Sequence, residues 1–226
     1  MNTNTQLANA QLDRARHNMV ENQVRPWEVL DARVLDVLAS LPRAHFVPAP
    51  WQALAYTDVA LPIGDDQIML KPVVEGRILQ AVLPQPSEHV LEIGTGTGYF
   101  AACLARLAAR VTSIDCRAGF VAAATEKLRA LGIVSVECQH ADAFEGFAPQ
   151  QPVDAIVVTG AVHALPPQFG QWLKPGGRMF LIRGREPAMQ AVLLQRATDG
   201  GWVEERLFET AVPYLAGAAP APQFAL

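Results

Sequence analysis

Hydrophobic and polar positions change period several times along the chain, and each change marks an element. Residues 1–25 are polar and compatible with a helix, with Arg14 and Arg16 on its solvated face. Asp31 precedes Val34, Leu35, Leu38 and Leu41, an apolar set at helical spacing that stops at Pro42. Asp31 is therefore read as the N-cap of an amphipathic helix packed on a sheet. From Phe46 to Pro72 no period holds, and prolines stand at 48, 50, 62 and 72. An irregular stretch of that length in a compact domain is expected to be functional, and it is assigned to the substrate side of a site.

Regularity returns at Val73. A helix over 73–83 leads through Pro84-Gln85-Pro86-Ser87 into an apolar strand that ends in a glycine loop. A helix then runs to about Leu107, a strand over 110–114 ends at Asp115, and a helix to Leu131 is capped by Gly132. A strand over 134–138, the loop His140-Ala141-Asp142-Ala143, a strand over 154–159 and a short helix follow. The turn Lys174-Pro175-Gly176-Gly177 feeds a strand over 178–182, and segments 189–197 and 202–212 flank Asp199-Gly200-Gly201, a hairpin signal. This alternation predicts an α/β fold with a doubly wound, mostly parallel sheet and an antiparallel C-terminal edge. One domain is expected over 1–226: a helical, substrate-side region (1–86), an α/β core (87–215) and a loose tail rich in Ala and Pro (216–226).

The candidate chemistry sits in Leu91-Glu92-Ile93-Gly94-Thr95-Gly96-Thr97-Gly98-Tyr99. Glycines at alternate positions after a strand let the chain turn sharply and let a ligand approach the backbone, and the helix that follows turns its free N–H groups towards it. Asp115 ends the next strand, where a carboxylate can accept both hydroxyls of a ribose. Asp142 follows the third strand, placed to accept the exocyclic amine of adenine. A net charge of −4 gives a nucleic-acid partner no support. No apolar run is long enough to span a bilayer, and no secretory leader is expected. Cys103, Cys116 and Cys138 lack metal-type spacing and are read as reduced, packed thiols of a cytoplasmic protein without a metal site.

The glycine segment resembles the first motif of class I S-adenosylmethionine-dependent methyltransferases. More of the chain resembles the protein-L-isoaspartate O-methyltransferase family: Met19-Val20-Glu21-Asn22-Gln23-Val24-Arg25, Arg43 with Phe46-Val47-Pro48, Ala55-Tyr56-Thr57-Asp58, Leu61-Pro62-Ile63-Gly64, the strand Asp154–Thr159, and Val212-Pro213-Tyr214-Leu215. The resemblance spans about 17–217 in the family's order. It implies a Rossmann-like methyltransferase fold and S-adenosylmethionine as cofactor. Glu92, Gly94, Thr95, Gly96, Thr97, Gly98, Asp115 and Asp142 are the expected binding residues. It also implies methyl transfer to a carboxylate of a damaged aspartyl residue in a protein or peptide, the opening step of repair. A carboxylate with a pKa near 4 is already a nucleophile at neutral pH, so no catalytic base is required.

One segment departs from the family pattern. Where the family has Gly-Gln-Thr-Ile-Ser before a residue and a proline, this chain has Asp66-Gln67-Ile68-Met69-Leu70 before Lys71-Pro72. The resemblance places those two lost hydroxyls at the substrate carboxylate and the methyl donor, so Ile68 and Leu70 predict weak, altered or absent isoaspartyl activity. Thr159, His163 and Lys71 are candidate substitutes. The alternative reading is a divergent member that binds the cofactor but acts on another acceptor or as a regulatory module. A nicotinamide-dependent dehydrogenase would explain only the glycine loop and Asp115.

Overall fold

In the computed structural model, residues 3–197 and 200–221 are described. The N-terminal part is α1 (Thr3–Met19), continued by a π-helical turn (Val20–Val24) and a 3-10 turn (Arg25–Trp27), then α2 (Ala32–Ser40) and α3 (Arg43–Phe46). Asp31 caps α2 as expected, its Oδ1 accepting from Arg33 N at 2.9 Å and Val34 N at 3.3 Å. The stretch read as irregular contains two short ordered pieces. One is a 3-10 segment (Ala49–Leu54), and the other is a hairpin of β1 (Leu61–Gly64) and β2 (Gln67–Met69). These strands are too short for their period to register among the surrounding prolines. The helix α4 (Pro72–Val82) opens with proline at its first position, where no N–H is needed.

The core alternates β3 (His89–Ile93), α5 (Tyr99–Ala105), β4 (Arg110–Asp115), α6 (Ala118–Ala130) and β5 (Val136–His140). It continues with β6 (Val153–Val162), α7 (Pro167–Gln171), β7 (Leu173–Arg185), β8 (Ala188–Arg196) and β9 (Trp202–Thr210). Gly132 ends α6 with φ at +67°, its N–H donating to Arg129 O while Ile133 N reaches Leu128 O. The strand expected from residue 134 starts two positions later, because Val134 is 91% exposed and lies outside the ladder. The Lys174–Gly177 turn is absorbed into β7 as an irregularity opposite β6.

The strand order β5-β4-β3-β6-β7-β8-β9 is parallel from β5 to β7, with β8 antiparallel to both of its neighbours. Ala197 N donates to Gly201 O at 2.9 Å across the β8–β9 connection, whereas Asp199 lies outside the described residues. Alternate residues of β6 enter opposite layers: Ala155 and Val157 pack with α2, α4 and α5, and Ile156 and Val158 pack with Phe169 and Trp172. The segment expected to be a loose tail is anchored where it begins. Leu215 N donates to Ala161 O, His163 N donates to Ala218 O, and Ala218 is buried; residues 222–226 lie outside the description.

Chain order reverses between β3 and β6. From β3 the chain moves outward through β4 to β5, then returns to β3's other side. Connections leaving the sheet in opposite directions open a crevice at the carboxyl ends of these strands, and open α/β sheets bind ligands there.

Candidate active site

A cavity of about 840 Å3, its open mouth included, occupies that crevice. Its floor is the glycine loop. Gly94 N and Thr95 N both donate to Ile114 O, at 2.8 and 3.2 Å, which ties the loop to the end of β4. Gly94 and Gly96 line the cavity with φ of +104° and +49°, where a side chain would be strained. A Cβ on Gly96 would stand 3.3 Å from Ile63 Cδ1, so the loop runs directly beneath the β1–β2 hairpin. Gly98 is not part of the cavity wall. A Cβ there would stand 2.8 Å from Ala124 Cβ, so this glycine lets α5 start against α6.

Thr95, Thr97, Asp115 and Asp142 all line the cavity. Asp115 is 7% exposed; its Oδ2 accepts from Gly96 N and its Oδ1 from Arg117 N, each at 3.0 Å. These two backbone donors fix the carboxylate beside the loop and leave lone pairs facing the cavity. Asp142 is held more simply, its Oδ1 accepting from Phe144 N at 2.8 Å.

Glu92, expected among the binding residues, lies beneath the loop and does not reach the cavity. Ser113 Oγ donates to its Oε2, and Thr95 Oγ1 lies 2.7 Å from that same hydroxyl. Its Oε1 is sealed without a partner. Burial pushes the Glu92 carboxyl up to about 8, the Ser113 hydrogen bond opposes this, and Asp115 and Glu75 add to it. Glu92 thus supports the loop from below through Ser113 and Thr95.

The other end of the cavity is walled by Ile63, Gln67, Ile68, Met69 and Leu70 of the hairpin segment and by Pro213, Leu215 and Ala216. Ile68 and Leu70 both face it, so the two hydroxyl-to-aliphatic changes fall on its wall. The hairpin tip, Asp65-Asp66, has φ of 50° and 55° at consecutive non-glycine residues, and Arg117 Nε approaches Asp65 Oδ2 at 3.6 Å. Of the candidate substitutes, Thr159 lines the cavity but spends its hydroxyl on the backbone, 2.7 Å from Gly94 O and 3.1 Å from Ile93 O. Lys71 and His163 do not line it.

Residues not singled out from sequence also contribute: Glu75, Phe100, Arg117, Phe120 and Phe144. Glu75 had a signal, an acid within the otherwise apolar first turn of α4, at Pro72-Val73-Val74-Glu75. Its partner is the fully buried Arg43, whose Nη1 donates to Glu75 Oε2. Arg43 also donates from Nε to Ala55 O at 2.9 Å and from Nη2 to Leu70 O at 2.6 Å, and lies over the Tyr99 ring. That guanidinium therefore holds the hairpin segment, the 3-10 segment's end and α4 together. Among the described residues no cluster suits a metal, the three cysteines are free, and no helix is long and apolar enough to cross a membrane.

A switch-point crevice floored by a glycine loop and edged by an acid after each of two strands is the arrangement of the class I methyltransferases. Solved structures bear out the fold. A protein-L-isoaspartate O-methyltransferase structure from Plasmodium falciparum, in complex with S-adenosyl-L-homocysteine, superposes with a TM-score of 0.74 at 16% identity, covering 88% of this chain and 97% of that one. A second protein-L-isoaspartate O-methyltransferase gives 0.78 at 23% identity, covering 90% and 66%. The sequence model of the protein-L-isoaspartate(D-aspartate) O-methyltransferase family matches residues 14–216. The protein-L-isoaspartate O-methyltransferase of Koribacter versatilis is 41% identical over 189 residues, 84% of each chain. That of Gloeobacter violaceus is 37% identical over 190 residues, 84% of this chain and 93% of its own. The chain belongs to the protein-L-isoaspartate(D-aspartate) O-methyltransferase family and is a methyltransferase.

Proposed function

We propose that this chain binds S-adenosylmethionine in the crevice and transfers its methyl group to a carboxylate of a damaged aspartyl residue in a protein or peptide. Family membership supports the reaction. The observation that carries the cofactor assignment is the Asp115 carboxylate, pinned by Gly96 N at 3.0 Å beside a glycine floor that admits close approach. Gly94, Thr95, Gly96 and Thr97 would hold the cofactor from below, Asp115 would accept its ribose hydroxyls, and Asp142 would take the adenine amine. Glu92 and Gly98 serve this site by shaping the loop rather than by contact.

When bound, the cofactor supplies a methyl group on sulfur that is already activated for attack. The chain has no proton to remove from an ionised acceptor. Its contribution is alignment and exclusion of water, and the aliphatic wall of Ile63, Ile68 and Leu70 serves the second. It offers the acceptor carboxylate no hydroxyl at 68 or 70. Each missing donor to a charged group costs about 1.5–3 kcal/mol, so turnover on an isoaspartyl peptide is set below that of a relative carrying both hydroxyls. The reduced cysteines suit a cytoplasmic setting.

Calorimetric titration tests the cofactor assignment. S-adenosylmethionine should bind the wild-type chain, a nicotinamide dinucleotide should not, and Asp115→Ala should weaken the first by about ten- to hundredfold. Undiminished affinity in Asp115→Ala would remove Asp115 from the site.

A further inference from the structure

Three carboxylates line the cavity among the described residues: Asp115, Asp142 and Glu75. Backbone N–H groups already donate to the first two, from Gly96 and Arg117 to Asp115 and from Phe144 to Asp142. Glu75 differs. It is 2% exposed, and Arg43 occupies its Oε2. Its Oε1 accepts no hydrogen bond from the described residues, yet it is not among the sealed, unpartnered oxygens as Glu92 Oε1 is. That oxygen is therefore not sealed from solvent, and the residue that carries it lines the cavity.

Arg43 makes no hydrogen bond to Oε1. Its guanidinium donates from Nη1 to Oε2, from Nε to Ala55 O and from Nη2 to Leu70 O, and its face lies over Tyr99. The groups packed around Glu75 from other elements are Tyr99 and Cys103 on α5, Asp58 before β1 and Glu92 on β3. None of these is a cation. Arg117, the basic residue on the cavity wall, leans towards Asp65 at the hairpin tip. A buried anionic oxygen without a donor is costly, and a cavity ligand bearing positive charge removes that cost.

We infer that Glu75 is a cofactor-binding residue whose free oxygen takes the positive charge of the methyl donor's amino-acid end. This rests on the cofactor reading above and extends it from the nucleoside half of the ligand, which the two aspartates serve, to its cationic half. Burial pushes the Glu75 carboxyl up to about 7, against the pull of Arg43. A cation arriving at Oε1 stabilises the ionised form and so is bound more firmly there than in water.

The test uses three probes on the full chain. S-adenosylmethionine carries an ammonium and a sulfonium, S-adenosylhomocysteine keeps only the ammonium, and 5′-methylthioadenosine keeps the nucleoside without either charge. Calorimetry on Glu75→Gln should show S-adenosylmethionine weakened by about tenfold or more, with 5′-methylthioadenosine unchanged. Parallel loss of S-adenosylhomocysteine assigns the contact to the ammonium, and its retention assigns it to the sulfonium. Because Glu75→Gln strands the buried Arg43 charge, the double variant Arg43→Met/Glu75→Met is measured beside it, with thermal melts to establish folding, and should give the same pattern. Undiminished S-adenosylmethionine binding in folded variants, or equal loss of all three ligands, overturns the inference. Failure of the wild-type chain to bind S-adenosylmethionine would instead bring down the cofactor reading, and this inference with it.

Discussion

The Thr159 hydroxyl donates to the carbonyl oxygen of Gly94 at 2.7 Å, joining β6 to the first turn of the glycine loop across the switch point. The contact is close enough that a Cβ at Gly94 would overlap Thr159 Oγ1. Thr159 is thus a strut of the glycine loop, which accounts for a hydroxyl on the cavity wall that has no lone hydrogen left for a substrate.

Two substitutions separate strut from catalyst. Thr159→Val should lower the melting temperature by an amount corresponding to about 1 kcal/mol and weaken cofactor binding modestly. Turnover at saturating cofactor should survive. Gly94→Ala should be worse on both counts, since it combines the overlap with a φ of +104°. A collapse of turnover in Thr159→Val with intact cofactor affinity would instead place the hydroxyl at the acceptor.

Restoring the hydroxyls that the family resemblance expects tests the acceptor wall. Ile68→Thr/Leu70→Ser should raise kcat/KM on an isoaspartyl peptide by about tenfold or more, because both side chains face the cavity. Some stability should be lost, as Leu70 is 6% exposed and packs in the core. No gain in a folded variant would show that the wall at 68 and 70 does not contact the acceptor.

Glu92 gives the fold a pH signature. Its folded carboxyl sits at about 8, above the ordinary value of 4.5. The folded state therefore holds a proton that the unfolded chain releases, and the stability this contributes is full below about 4.5 and declines as pH rises towards 8. Glu92→Gln keeps an oxygen for Ser113 and cannot ionise. Melting temperatures between pH 5 and 8 should fall less steeply in Glu92→Gln, which should be the more stable protein at pH 8. An unchanged slope would mean that Glu92 does not titrate as its burial implies.

The Arg43–Glu75 pair holds the hairpin segment in place from behind. Arg43→Met leaves a buried carboxylate without its partner, a change that typically costs about 3–5 kcal/mol. Chemical denaturation should show that loss, and replacing Glu75 by Met as well should recover much of it. Equal stabilities of the single and double variants would contradict a direct coupling.

Much of this architecture was legible in the residues. Period-3.6 and period-2 stretches separate cleanly around Gly94–Gly98, and Asp115 and Asp142 occur where strands end, so the sheet and two of the carboxylates on the cavity wall could be placed. Other features depend on tertiary contact. Glu92 and Gly98 belong to the same motif as Gly96, yet one faces Ser113 below the loop and the other faces Ala124; spacing carries no sign of which way each points. Arg43 and Glu75 stand 32 positions apart, and their pairing arises only because the fold brings the start of α3 to α4. The hairpin itself turns through Gly64, Asp65 and Asp66 with positive φ at all three, two of them non-glycine, which departs from the usual Asn-Gly or Asp-Gly turn. No local signal therefore marks it as a hairpin.

Methyl transfer from this crevice to a damaged aspartyl carboxylate is the reaction proposed for this chain. Its most direct test is transfer of a labelled methyl group from S-adenosylmethionine to an isoaspartyl peptide, with the normal aspartyl isomer as control and cofactor binding measured on the same sample. Base-labile methyl ester on the isoaspartyl peptide alone, abolished or sharply reduced in Asp115→Ala, is the predicted result. Tight cofactor binding with no ester on either peptide would contradict it and turn attention to a different acceptor behind the Ile68–Leu70 wall.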